Sequence, residues 1–200
     1  MGWAKNGQTA GTMGYSKRIE AIRIVTVRKG GTAPTKLGAY TASSMEYIPP
    51  KKISYSTHVQ KIGWQDYVSN GELSGTTGKG LRLEAIKIKL KNISGGVRYK
   101  SHIQGIGWES SWKSNDQLSG TSGKNLRLEA IKIELTGNAL NLYDVYYRVH
   151  VQGFGWLGWA KNGESAGSAG YGRRLEGIQI KLVEKGGAAP GSTSGAFKQK

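Results

Sequence analysis

Gly75-Thr76-Thr77-Gly78-Lys79-Gly80-Leu81-Arg82-Leu83-Glu84-Ala85-Ile86-Lys87-Ile88-Lys89-Leu90 returns three more times in this chain. One copy is Gly120-Thr121-Ser122-Gly123-Lys124-Asn125-Leu126-Arg127-Leu128-Glu129-Ala130-Ile131-Lys132-Ile133-Glu134-Leu135. A looser copy runs from Gly167 through Arg174-Leu175-Glu176-Gly177-Ile178-Gln179-Ile180, and another from Gly11 through Arg18-Ile19-Glu20-Ala21-Ile22-Arg23-Ile24. In every copy a Glu follows the first Gly by nine residues, without a gap. One supersecondary unit is therefore built several times, and a fold has to be assembled from that unit.

Within the unit, Leu81 and Leu83 share one parity, while Ile86, Ile88 and Leu90 share the other. A regular pleat would send these two groups to opposite faces. A β-bulge at Glu84-Ala85 returns all five to one face, so a bulged closing strand is predicted. The opening segments are Tyr55 to Trp64, Tyr99 to Trp108 and Tyr147 to Trp156. Their β-branching and alternation predict strands, with His58, Gln60, Ile62 and Trp64 on one face and Tyr55, Thr57 and Val59 on the other. Turn residues fill the middle of each unit: Asn70-Gly71-Glu72, Asn115-Asp116-Gln117 and Asn162-Gly163-Glu164. None of the three units carries a 3.6-residue period.

Complete repeats span 53–92, 97–136 and 145–184, followed by a tail over 185–200, so one triplet covers 53–200. Residues 1–40 form an incomplete half-repeat. There Gly2-Trp3-Ala4-Lys5-Asn6-Gly7 matches Gly158-Trp159-Ala160-Lys161-Asn162-Gly163, and the match runs on to Pro34 opposite Pro190. Its missing front half is what the last repeat carries as Tyr147 to Trp156. Met1 falls opposite Leu157 and is expected to be an internal methionine of a longer protein, either a second translation start or an imposed boundary. Residues 41–52, with Pro49-Pro50, read as a linker. A two-stranded unit cannot bury its apolar face alone, whereas three closing around a pseudo-threefold axis leave few free edges. The fold class expected is all-β: a pseudo-threefold repeat domain, β-prism or β-trefoil-like, preceded by the half-repeat.

Composition narrows the functional classes. Glycine is abundant at 31 residues, and Trp and Tyr far outnumber Phe, which suits short strands, tight turns and polar-ligand surfaces. The balance of 29 basic against 13 acidic residues gives a net charge of +16, enough to attract any polyanion. Cysteine is absent, which excludes disulfides, thiolate chemistry and cysteine zinc sites. No apolar run has the length of a membrane span, and no membrane insertion is expected. The chain is expected to carry neither an export signal nor an anchor of its own.

The pattern Y-x-x-H-[VI]-Q-x-[IF]-G-W, followed by N-G-E-x-[SA]-G and R-L-E-[AG]-I-x-I, resembles the clostridial hydrophobic repeat with its Trp, the ChW repeat. The resemblance covers nearly the whole chain. Asn115-Asp116 departs from it where Asn-Gly is usual, and the interval from Trp108 to Asn115 is one residue longer. The last repeat looks like the third member of a ChW triplet, and residues 1–40 look like the end of a preceding one. The resemblance implies a secreted or surface protein of Gram-positive bacteria, or a cell-wall lytic enzyme such as a phage endolysin, and a role in binding the wall or its glycans. It implies an extracellular, cell-wall location, with any catalytic domain upstream.

Candidate ligand-binding residues recur once per repeat. Trp64, Trp108 and Trp156 follow a Gly at a strand end; they read either as buried anchors or as sugar-stacking platforms. Tyr67, Trp112 and Trp159 lie in the following loop, where an aromatic is harder to bury. Asn70, Asn115 and Asn162 would supply oriented hydrogen bonds to a sugar. His58, His102 and His150, each with Gln60, Gln104 or Gln152 two positions on, would line a pocket, be satisfied by the recurrent Glu, or meet on the threefold axis around a metal. Arg82/Glu84, Arg127/Glu129 and Arg174/Glu176 read as charge pairs that orient the bulge. Lys87, Lys89 and Lys132 read as a solvated outer face.

No catalytic residue, cofactor or metal is assigned. The Glu recurs singly per repeat, whereas glycoside hydrolysis needs two differently tuned carboxylates at one bond. No nucleophile elbow, phosphate loop or zinc-protease motif occurs. The expected function is a non-catalytic module binding cell-wall glycan, peptidoglycan or a teichoic-acid-type polymer, with self-association or pairing with a longer form through residues 1–40. The alternatives are an adhesion or assembly module that binds proteins, and a basic nucleic-acid-binding protein. Nucleic acid is disfavoured because the basic residues follow the repeats instead of forming one stripe.

Overall fold

The computed structural model describes residues 24, 26–31 and 52–200; the chain divides into two compact units, 1–48 and 49–200. Met1, nearly all of the half-repeat with its expected pairing, and the linker up to residue 51 lie outside the described residues.

Each repeat of the second unit has two long strands and three short ones. The first contains β1 (Lys52–Val59), β2 (Gly63–Trp64), β3 (Val68–Ser69), β4 (Ser74–Gly75) and β5 (Leu83–Lys91). The second contains β6 (Gly96–Ile103), β7 (Gly107–Trp108), β8 (Lys113–Ser114), β9 (Ser119–Gly120) and β10 (Leu128–Thr136). After α1 (Asn138–Leu142) the third contains β11 (Tyr143–Val151), β12 (Gly155–Trp156), β13 (Ala160–Lys161), β14 (Ala166–Ala169) and β15 (Leu175–Glu184), and β16 (Phe197–Gln199) closes the chain. The helix was not expected, since five residues are too few to display a helical period.

The long strands pair antiparallel as β1 with β5, β6 with β10 and β11 with β15. His58 faces Ala85 while Val59 faces Leu83, which leaves Glu84 as the extra residue of a bulge. Glu129 and Glu176 are bulged in the same way. The bulge falls where the parity slip placed it, and its consequence follows: Leu83, Ile86 and Ile88 are buried, and Leu81 and Leu90 pack half-buried on the same core. Tyr55, Thr57 and Val59 point inward as expected. The opening strand nevertheless stops at Val59 instead of running on to Trp64. A turn with Lys61 at φ 63° brings β2 back antiparallel, so Trp64 reaches the face of His58 by pairing opposite it.

The three repeats are bound together by exchanged strands. β4 of the first repeat pairs with β15 of the third, β9 of the second with β5 of the first, and β14 of the third with β10 of the second. Gly75, Gly120 and Gly167 make this approach possible at φ 103°, 102° and 123°. A Cβ on them would lie 2.5, 2.4 and 2.4 Å from the carbonyl oxygens of Glu176, Glu84 and Glu129. The Gly and Glu that keep constant spacing in the sequence thus meet in space, but each Gly meets the Glu of a different repeat.

Buried tyrosines tie the seams. The Tyr55, Tyr99 and Tyr147 hydroxyls accept from the N–H groups of Ile180, Ile88 and Ile133 at 3.1, 3.0 and 3.1 Å. They donate in turn to the carbonyls of Glu72, Gln117 and Glu164. The Ile carbonyls on the same strand edges accept from Gly71, Asp116 and Gly163 N–H, all at 2.7 Å. Asp116 takes the place of a glycine at φ 72°. The ladders stay separate, as in a three-sided prism, while the six long strands follow one another around the body as in a trefoil. One apolar core draws on all three repeats.

Candidate functional site

Each bulge builds the same outward constellation. The bulged Glu84 carboxylate is 5% exposed, and its Oε1 accepts from Arg82 Nε at 2.9 Å and Nη2 at 2.7 Å. Oε2 lies 3.0 Å from His58 Nδ1, within ion-pair distance but off the alignment of a hydrogen bond. Arg127, Glu129 and His102 repeat this arrangement, as do Arg174, Glu176 and His150. The Arg–Glu pairs are the structural pairs expected, each joining the bulged Glu to the Arg two residues before it. The histidines face their own glutamates on separate sheets and do not meet on the axis; among the described residues no cluster of His, Cys, Asp or Glu is placed to hold a metal.

Trp64, Trp108 and Trp156 are not the buried anchors that strand-end tryptophans suggest. They lie on the outer face, half-exposed, edge-on to His58, His102 and His150 at 5.6, 5.4 and 5.5 Å between ring centroids. Lys87 and Lys132 cover the Trp64 and Trp108 rings at 4.7 and 5.1 Å, and Arg148 covers Trp156 at 4.8 Å. Lys87 and Lys132 are therefore seated on indoles instead of being merely solvated, a role that the alternating pattern alone did not reveal. Beside them, His58, Gln60, Ile62 and Glu84 join Ser122 and Asn125 of the next repeat around an open cleft of about 560 Å³. Arg82 Nη2 donates across this seam to Asn125 Oδ1 at 3.1 Å. Among the described residues, the buried Thr121 hydroxyl next in the loop has no hydrogen-bond partner, nor do Thr76 and Ser168 at the matching positions. Gln60, Gln104 and Gln152 begin the turns, their N–H groups donating to Arg82, Arg127 and Arg174 carbonyls at 3.0 Å.

The second aromatic row differs from repeat to repeat. Tyr67 is half-exposed, donates to Asp116 of the next repeat, and lies 3.8 Å from Lys89 Nζ. Burial raises its pKa, and the Asp116 carboxylate beside it adds to the rise. Trp112 is half-exposed under Arg98 and Lys100. Trp159 is 6% exposed, against the expectation of a loop aromatic that is hard to bury. The tail covers it: its backbone N–H donates to the Ser192 carbonyl at 2.9 Å, and Gly191 abuts its indole nitrogen. Asn70, Asn115 and Asn162 are turn residues at φ 39°, 31° and 43°. Their Oδ1 atoms accept from Ile53, Val97 and Val145 N–H at 3.3, 3.0 and 2.9 Å, which fixes the opening strands.

The closed threefold β-body with an outward aromatic and histidine constellation at every bulge defines an all-β repeat protein. The ChW (Clostridial hydrophobic W) family model matches residues 1–28, 58–92, 102–137 and 150–184, well over half of the chain, and the protein belongs to that family. Membership is consistent with a cell-surface binding module. No curated protein and no solved structure matches the chain. Among the described residues no helix is long and apolar enough to cross a membrane.

Proposed function

We propose that the protein is a non-catalytic, multivalent glycan-binding module that holds a lytic enzyme or surface protein on the Gram-positive cell wall. The observation that carries this reading is the threefold recurrence of a half-exposed Trp edge-on to a His, the first of them beside an open cleft that His58 forms with the neighbouring repeat. A half-exposed indole offers a sugar ring an apolar contact, and the Gln and loop residues around it offer hydrogen bonds. Several weak sites on one rigid body gain retention through effective concentration. Each bulged carboxylate is paired with an Arg and a His of its own repeat, an arrangement suited to holding the loop and not to paired acid–base chemistry. Residues 1–40 would pair with another copy or with a longer form, and light scattering that finds a concentration-independent monomer would reject this.

Pull-down on purified, deproteinised Gram-positive walls tests the main reading. The full chain should be retained, and replacing Trp64, Trp108 and Trp156 together by Ala should release it while the protein still unfolds cooperatively. Retention only on walls that keep their proteins would favour the adhesion alternative. A gel shift at physiological salt tests nucleic acid.

A further inference from the structure

The third repeat breaks the threefold pattern at one register position. Ser56 faces Lys87 in the first repeat and Lys100 faces Lys132 in the second, but Arg148 faces Gln179 in the third. The cation over the strand-end indole therefore comes from the opening strand instead of the closing one. The Arg148 guanidinium lies 4.8 Å from the Trp156 ring and 4.9 Å from the Trp159 ring, so two indoles flank it. Its Nε donates to Gln179 Oε1 at 2.7 Å, and Gln179 Nε2 donates to the Gly71 carbonyl at 2.9 Å. The plane of the fork is thus fixed by neutral groups alone. Arg82, Arg98, Arg127 and Arg174 each meet a glutamate. Among the described residues the Nη groups of Arg148 have no acceptor.

Arg148, Trp156 and Trp159 form one wall of a cleft of about 350 Å³ whose other wall is the tail segment Pro190 to Ser194. That wall is built to stay in place. A Cβ on Gly158 would lie 2.2 Å from the Ser194 carbonyl oxygen, and one on Gly191 3.2 Å from Trp159 Nε1. A guanidinium with free Nη donors, held by uncharged partners between apolar rings, matches a two-oxygen anion in geometry and in charge. A neutral sugar would leave it without a counter-charge.

We propose that this cleft is an oxyanion subsite that takes a phosphate or carboxylate group carried on a sugar or polyol. The proposal rests on the glycan-binding reading for its biological ligand, and it makes the third repeat the one that selects anionic polymers. The two chemistries are separated by the probe. Indole N–H resonances of the full chain would be followed by NMR during titration with glycerol 3-phosphate, glucuronate or glucose. The first, the second or both should shift Trp156 and Trp159, naming the group, and glucose should not. Arg148→Gln should weaken that binding at least tenfold, and Arg148→Lys should weaken it less, with thermal unfolding confirming that both variants fold. Shifts by glucose equal to those of the anions, shifts that survive Arg148→Gln, or shifts by neither anion would overturn the subsite. Wall retention measured alongside keeps the two readings apart. A chain that is not retained but still answers glycerol 3-phosphate at Trp156 keeps the subsite and loses the wall. A retained chain whose indoles do not respond loses only the subsite.

Discussion

The tyrosine that opens each Y-x-x-H motif, three residues before its His, does the work of a backbone group. Tyr99 sits fully buried and replaces a missing ladder partner for Ile88 while closing on the Gln117 carbonyl. Tyr99→Phe keeps the ring and strands both groups, a loss of about 1–3 kcal/mol, measurable as a lower urea midpoint with unchanged slope. The hydroxyls also set an alkaline limit. Burial, offset in part by the Ile180 N–H, pushes the Tyr55 pKa up to about 12, and burial raises Tyr99 and Tyr147 as well. Below the ordinary value near 10, folded and unfolded chains both keep the proton, so the full contribution is present. As pH rises above it, the unfolded chain releases protons that the folded chain retains, and stability falls by about 1.4 kcal/mol per pH unit for each tyrosine. Denaturant midpoints taken from pH 9 to 12 should decline steeply above 10; a flat profile would contradict the buried seam.

At the scale of elements, the bulge and the exchanged strand are one device. The bulged Glu turns its carbonyl toward the Gly of another repeat, and only a residue without a Cβ fits there. Gly120→Ala should cost on the order of 3 kcal/mol, since it combines a left-handed φ with a collision at the Glu84 carbonyl. Gly78→Ala, at φ 70° with open space around it, should cost only about 1–2 kcal/mol. Equal losses, read from urea unfolding, would mean that the close approach is not what selects glycine. The bulge itself was legible, because an apolar parity slip has no other remedy in a half-buried strand. The exchange was not, because constant spacing inside a repeat says nothing about which repeat supplies the partner. The Trp row stayed open between buried anchor and exposed platform for a related reason: nothing in the pattern showed that the strand ends at Val59 and that the return of β2 sets the indole opposite His58. α1 was too short to register.

For the molecule as a whole, cyclic exchange means that no repeat of the triplet has a complete sheet of its own. Residues 49–200 should therefore melt in a single transition whose calorimetric and van't Hoff enthalpies agree, and separate transitions for the repeats would contradict closure. The third repeat closes the body differently. Gly75 and Gly120 N–H groups donate to Gln65 and Glu109 side chains at 2.6 and 3.1 Å. Leu157 stands at that position in the third repeat, and Gly167 N–H donates instead to the Ala196 carbonyl at 2.9 Å, with β16 laid parallel to β14. The buried Asp144 anchors the start of this tail. Burial disfavours its charge, but hydrogen bonds from Asn162, Lys161, the Gly186 N–H and Lys185 outweigh that and hold its pKa well below the usual carboxylate range. The sequence set the third repeat apart by the tail over 185–200, yet nothing in the local pattern disclosed that this tail would bury Trp159 and wall a cleft around Arg148.

Wall retention of a graded series measures the core of this account most directly. Trp64, Trp108 and Trp156 would be replaced by Ala singly, in pairs and together in the full chain, and dissociation from deproteinised walls would be timed for each. Three cooperating sites predict progressive losses that reach at least a hundredfold for the triple variant, with every variant still folding in one transition. Unchanged retention of the triple variant, or complete loss from any one replacement with no further effect of the others, would contradict it.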